Sequence, residues 1–170
     1  VVLGANDIVV GGGGVTFNND INADNATNND RTLSLSSGQS STITVTGNVG
    51  TSQALAGLTI LQSNGTTFSA NVDVSDSDAG TITLTDTSND KHIRFEGNLT
   101  ADNLTTVAQG YRLFLIGDTT TFTNAVSFQN ADNVALGNEV GDSLTFNGGL
   151  TTTSVSGGGT VFLNGTIASS

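Results

Sequence analysis

Side chains able to do chemistry are few in this chain, and they gather in two places. The first is Asp73-Val-Ser-Asp76-Ser-Asp78-Ala-Gly80, the densest acidic cluster. Alternate carboxylates beside a glycine suit Ca²⁺, a hard cation that takes about six to eight oxygen ligands. The stretch lacks the EF-hand spacing with its distal glutamate, and it lacks the Gly-Gly-x-Gly-x-Asp nonapeptide of calcium-binding β-rolls. It reads first as a solvated acidic turn, with Asp73, Asp76 and Asp78 as the candidate calcium ligands. The second place is Lys91-His-Ile-Arg-Phe-Glu96, which holds the single histidine and two of the four basic residues. A catalytic triad needs a histidine held by a carboxylate beside a strained nucleophile. Here alternation with the apolar Ile93 and Phe95 turns His92 outward, beside Arg94. Lys91, His92, Arg94 and Glu96 then share one outward face. No two carboxylates pair on one strand face at the separations of glycoside hydrolysis. One histidine without cysteine leaves no transition-metal set. The expectation is a non-catalytic chain with no cofactor unless the acidic turn takes calcium.

Two weaker patterns remain. Thr-x-Thr runs occur at Thr42-Ile-Thr44-Val-Thr46, Thr81-Ile-Thr83-Leu-Thr85 and Thr121-Phe-Thr123. Stacked into a flat array they would suit an ice-binding face. They recur near every 40 residues, which predicts that neighbouring coils do not all contribute, and β-branched strand filler explains them. Asn-x-Thr sequons stand at Asn25, Asn64, Asn98, Asn103 and Asn164, as chance supplies in a chain rich in both residues; they matter only if the source glycosylates exported proteins.

The element that positions all of these is a recurring seven-residue phrase: apolar, polar, large apolar, polar, small, any, apolar. Its copies are Val15-Thr-Phe17-Asn-Asn-Asp-Ile21, Ile43-Thr-Val45-Thr-Gly-Asn-Val49, Thr66-Thr-Phe68-Ser-Ala-Asn-Val72 and Ile93-Arg-Phe95-Glu-Gly-Asn-Leu99. Thr120-Thr-Phe122-Thr-Asn-Ala-Val126, Leu144-Thr-Phe146-Asn-Gly-Gly-Leu150 and Val161-Phe-Leu163-Asn-Gly-Thr-Ile167 follow. Phe17, Val45, Phe68, Phe95, Phe122, Phe146 and Leu163 fall 17 to 28 residues apart. A repeat of that size marks a solenoid, whose units bury their apolar faces only by stacking. Period-two alternation within each copy marks a strand with one buried face. The small residue suits a corner. These features predict an all-β, parallel β-solenoid of about seven coils, roughly 35 Å long at the usual strand spacing. Its interior stacks Phe17, Val45, Phe68, Phe95, Phe122, Phe146 and Leu163. Asparagines at equivalent turns are placed to form side-chain ladders.

Composition agrees. Apolar residues are sparse and evenly spread, with eight Phe, one Tyr and no Trp, as a narrow core requires. No segment carries the helical period, and the absence of proline suits strands that donate to inner ladders. A formal charge of −11 argues against nucleic acid and against anionic membrane surfaces. No apolar run reaches the length of about 18 residues that crosses a bilayer, so no membrane insertion is expected. Without Cys, no disulfide forms. The chain opens without Met or a leader and reads as a segment of something longer, or as a subunit that continues onto a neighbour. Residues 1–14 read as an N-terminal strand and glycine-rich hinge, and 15–170 as the solenoid. The uncharged Val1, Val2, Leu3, Ile8, Val9 and Val10, ahead of four glycines, are candidates for strand addition to another copy.

Phrases such as Leu144-Thr-Phe-Asn-Gly-Gly-Leu150, Val161-Phe-Leu-Asn-Gly-Thr-Ile167, and Ile43-Thr-Val-Thr-Gly-Asn-Val49 with Ala54-Leu-Ala-Gly-Leu-Thr-Ile60 resemble the repeats of filamentous-haemagglutinin-like and autotransporter-passenger proteins. That resemblance, over most of residues 15–167, implies an exported right-handed β-helix on a bacterial surface. The secretion domain of two-partner-secreted members carries Asn-Pro motifs. This chain has no proline, so the resemblance is to a repeat region. The function expected is structural and extracellular: a self-associating, head-to-tail segment of a fibre or adhesin stalk, in contact with a host or matrix surface. The alternative is a calcium-dependent or threonine-faced module for glycan or ice, and more remotely a polysaccharide-degrading β-helix.

Overall fold

The computed structural model describes residues 1–5, 8–24, 31–76, 80–152 and 159–169. Among them the chain is all strand, turn and corner, with no helix. Strands recur in the same order along the chain and pair in parallel with the equivalent strand one turn later, so the molecule is a β-solenoid of about six turns. Three sheets run along it. The first contains Ile8–Gly11, Thr32–Ser36, Gly57–Gln62, Thr81–Leu84 and Asn103–Thr106. The second and longest contains Val15–Phe17, Ile43–Val45, Thr66–Phe68, His92–Phe95, Arg112–Leu115, Val134–Leu136 and Val161–Leu163. The third contains Val72–Val74, Leu99–Ala101, Thr119–Phe122, Ser143–Phe146 and Thr166–Ser169, and single bridges from Val72 to Val49 and from Val49 to Ile21 extend it. Seven rungs at the parallel spacing span roughly 30 Å from first to last.

Alternation along each strand decides what goes inside. In Thr32–Ser36, His92–Phe95 and Arg112–Leu115 every second residue is buried. Because the strands are in register, like positions fall into columns. One column of the long sheet runs Phe17, Val45, Phe68, Phe95, Leu115, Leu136 and Leu163. Phe68 and Phe95 stack within it, centroids 4.9 Å apart and rings 4° from parallel. Phe122 and Phe146 stack at 5.7 Å, but they lie in the third sheet, following Val74 and Ala101. The single phenylalanine column expected from the phrase is therefore two. In the first four copies the phrase covers a long-sheet strand, its corner and the start of the third sheet. In the copies at 120–126 and 144–150 it covers a third-sheet strand and the short ribbon Val126–Ser127 with Leu150–Thr151. Any half-buried strand followed by a tight corner satisfies the phrase, so it cannot say which side of the coil it occupies.

The corner after the long sheet explains the small position. Ala70, Gly97 and Gly117 occupy it in successive coils. A Cβ on Gly97 would come within 2.6 Å of the Ala70 carbonyl oxygen. Beside it runs an amide ladder. Asn48 N–H donates to Asp20 Oδ1 (2.8 Å), Asn71 N–H to Asn48 Oδ1 (3.2 Å), Asn98 N–H to Asn71 Oδ1 (2.9 Å) and Thr119 N–H to Asn98 Oδ1 (3.0 Å). Backbone donors that the sharp turn takes out of the sheet ladder are thus satisfied from the rung below.

The core is not wholly apolar. Thr66 replaces an aliphatic residue in the column of Ile43 and Ile93. Its hydroxyl lies 2.9 Å from Ser63 Oγ, which lies 2.9 Å from Thr87 Oγ1, so these buried hydroxyls satisfy one another.

At the start of the chain, Val2–Leu3 pairs with Asn22–Ala23 and Ile8–Gly11 with Thr32–Ser36. Residues assigned to a separate strand and hinge thus form the outermost strands of the solenoid, each with one edge paired within the chain. At the other end Val161, Leu163 and Ile167 stand in register with buried Val134, Leu136 and Leu144, and Leu163, on the last described rung, is 61% exposed.

Candidate functional site

The acidic turn is only partly described, since Asp78 lies outside the described residues. Asp73 sits on the outward side of Val72–Val74, and its Oδ1 accepts from the Ser75 amide at 3.1 Å and from the Ser75 hydroxyl. Asp76 is buried. Among the described residues no group of three or more His, Asp or Glu is placed to hold a metal ion.

The second cluster is built by two neighbouring long-sheet strands, His92–Phe95 and Arg112–Leu115. Ile93, Phe95, Leu113 and Leu115 face inward, which turns His92, Arg94, Arg112 and Phe114 outward. Register sets His92 beside Arg112 and Arg94 beside Phe114. The Arg94 guanidinium carbon lies 5.7 Å from the Phe114 ring centroid, within cation–π range. His92 meets the same ring edge-on at 6.1 Å. Carboxylates lie beside both arginines: Arg94 Nε is 2.8 Å from Glu96 Oε1 without the geometry of a hydrogen bond, whereas Arg112 Nε donates to Asp132 Oδ2 at 3.0 Å, with Asp90 3.7 Å away. Partial burial pushes the His92 imidazole below its usual pKa, and the neighbouring cations Arg94 and Lys91 push in the same direction.

Beside this face, sharing Arg112 with it, lies an open groove of about 530 Å³, lined by Asn89, Asp90, Gly110, Arg112, Asp132 and Asn133 among others. Asp90 takes a left-handed conformation (φ 61°), which Asp tolerates better than most residues, and its N–H donates to the Gly110 carbonyl at 2.9 Å.

No family model, curated protein or solved structure matches this chain. The site must therefore be read from its own chemistry. Sequence reasoning found Lys91, His92, Arg94 and Glu96 but missed Arg112, Phe114, Asp132 and the groove. Arg112 and Phe114 alternate with inward leucines just as His92 and Arg94 do with their neighbours. That signal was present, but only the register shows that the two strands adjoin.

The threonine pattern also differs from expectation. On the outward side of the first sheet, Ser34, Thr59, Thr83 and Thr105 form one column on four consecutive rungs, with Thr32, Gly57, Thr81 and Asn103 beside them. Not all members come from a Thr-x-Thr run, so the spacing of such runs understated the array. None of the five strands of that sheet carries a charged residue.

Proposed function

We propose that this chain is a structural, non-catalytic β-solenoid segment of an extracellular bacterial fibre or adhesin stalk. In this reading, copies join head to tail and add rungs to one another's ends. One observation carries it: each strand of the long sheet pairs in parallel register with the equivalent strand a turn away, so like positions, Val134 with Val161 and Leu136 with Leu163 among them, form columns that a rung of another copy can extend. Apolar positions already in register are best covered by another rung with the same side-chain alternation, since backbone pairing and column packing are then both satisfied. Ile8–Gly11 and Val15–Phe17 are the outermost strands of their sheets at the opposite end, and they offer the complementary edges. Such a contact does not close on itself, so repetition gives a filament. The charge of −11 would keep the flanks of neighbouring filaments apart. The resemblance of its phrases to filamentous-haemagglutinin-like and autotransporter-passenger repeats supports an exported, cell-surface setting.

The test is negative-stain microscopy of the chain, of the chain lacking residues 1–14, and of Leu163→Asp. Filaments in the first sample and single particles in the other two are expected. Single particles in all three would overturn end-to-end assembly. Filaments without residues 1–14 would remove the N-terminal strands from it.

A second reading rests on the uncharged Ser/Thr array of the first sheet. A flat lattice of hydroxyls and methyls suits a periodic surface such as ice. Thermal hysteresis abolished by Thr59→Lys and Thr83→Lys would favour it over the fibre.

A further inference from the structure

The chain has no Cys and no Met, so the sulfur groups that oxidise first are absent, and its amides are the groups left open to covalent change. Three Asn-Gly dipeptides stand at corners: Asn64-Gly65, Asn147-Gly148 and Asn164-Gly165. In such a pair the glycine nitrogen can attack the asparagine carboxamide, because the glycine has no Cβ to obstruct the approach. The fold treats the three pairs differently. Asn64 is half-buried and Gly65 is buried. The Gly65 N–H donates to Ser63 Oγ at 3.3 Å, and its carbonyl accepts from the Ile43 amide at 3.0 Å. Attack there would break the bond to Ser63 inside a closed hydroxyl cluster. Asn164 is exposed, but its Nδ2 donates to the Asn138 carbonyl at 2.7 Å, which ties the carboxamide to the neighbouring rung. Asn147 and Gly148 are both exposed. They are the central residues of a turn closed by the Gly149 N–H, which donates to the Phe146 carbonyl at 2.9 Å.

We propose that Asn147 is a site of spontaneous deamidation, the first of the three pairs to react in the folded chain. The Gly148 nitrogen bonds to Asn147 Cγ, and the carboxamide nitrogen leaves as ammonia, carrying the proton that Gly148 gives up. Water then opens the cyclic imide at one carbonyl or the other, leaving aspartate or isoaspartate. Both products add a negative charge, and isoaspartate also routes the main chain through one extra carbon. The corner has no room for it. A Cβ on Gly148 would already come within 2.2 Å of the Ala125 nitrogen and 2.5 Å of the Asn124 carbonyl carbon on the rung below. Isoaspartate at 147 therefore strains the pairing of Leu150–Thr151 with Val126–Ser127 that follows this corner. The reaction concerns one corner of the flank and is independent of assembly at the ends.

Incubation of the full chain in mildly alkaline buffer tests it, with peptide mapping by mass and isoaspartate-specific methyl labelling to follow each pair. Asn147 is expected to convert about tenfold faster than Asn64, the rate equivalent of one hydrogen bond broken on the way to attack. Asn164 should fall behind Asn147 as well. In guanidinium the three rates should converge, since each pair then has the same local chemistry. Ser63→Ala, with its circular dichroism intact, should speed Asn64 by freeing the Gly65 amide, and Asn147→Gln should abolish the leading event. Asn64 or Asn164 converting ahead of Asn147 in the folded chain would overturn the proposal. So would an order of rates that guanidinium leaves unchanged, or an Asn64 rate indifferent to Ser63→Ala.

Discussion

Tyr111 is the largest fully buried side chain of the molecule, and its polar end is satisfied. Its hydroxyl donates to the Leu84 carbonyl at 3.2 Å and accepts from the Val107 amide at 3.3 Å. Burial pushes the phenol well above its usual pKa, against a smaller opposing effect of the Val107 hydrogen bond. The folded state therefore holds this proton more tightly than the unfolded state does. The resulting stability is fully present below the unfolded value of about 10 and is lost as pH rises above it. Tyr111→Phe is expected to cost about 1 kcal/mol at neutral pH, yet to lose less stability between neutral and strongly alkaline conditions, as urea melts across that range would show. His92 works in the opposite sense. Its depressed pKa means that acid favours the unfolded chain, weakly because the ring is partly exposed. An NMR titration should place its midpoint below 6.5, and Arg94→Gln should raise it by removing a cation.

The strand and its corner are the units in which the sequence was most and least readable. Period-two alternation disclosed the strands and their inward residues, because burial of one face leaves a direct mark on composition. It did not disclose which sheet a strand joins, so Phe122 and Phe146 were placed with Phe95 when they belong to another face. Coil length is the missing quantity. The long-sheet column advances by 20 to 28 residues per turn, and the slack is taken up in turns whose length no strand pattern reports. The basic half of the candidate face was legible at Lys91, His92 and Arg94 for the same reason, and its partner strand was hidden by register. Corners carry their own predictions. Gly97→Val drives side-chain atoms into the Ala70 carbonyl and should destabilise near the upper end of about 1–3 kcal/mol. Asn71→Ala removes the acceptor for the Asn98 amide and should cost about 1 kcal/mol. Thermal melts measure both, and an undisturbed Gly97→Val would show that the corner relaxes.

At the scale of the whole molecule, stability is a sum over rungs and not the property of one centre. Removing the ring of Phe95, stacked on Phe68 inside the column, should cost about 3–5 kcal/mol. Truncation at Leu163, equally apolar but exposed on the last described rung, should cost far less in an isolated copy. If copies stack as proposed, the two substitutions converge under assembling conditions, because Leu163 then gains the cover that Phe95 already has. A denaturant series on dilute and concentrated samples of both variants separates the cases: parallel responses at every concentration would remove the end-to-end contact.

All three sheets join each coil to the next by hydrogen bonds that lie along the rod, and this sets how the molecule yields to force. Tension applied through the two chain ends does not load every coil at once. It peels the outermost coil from its neighbour, and the next coil bears load only when the first is gone. Each release frees one coil, 20 to 28 residues along the long-sheet column, or roughly 65–100 Å of extended chain. A force–extension trace should therefore show a train of small, similar steps in place of one large rupture, and a stalk made this way would lengthen under drag while most of it stayed folded.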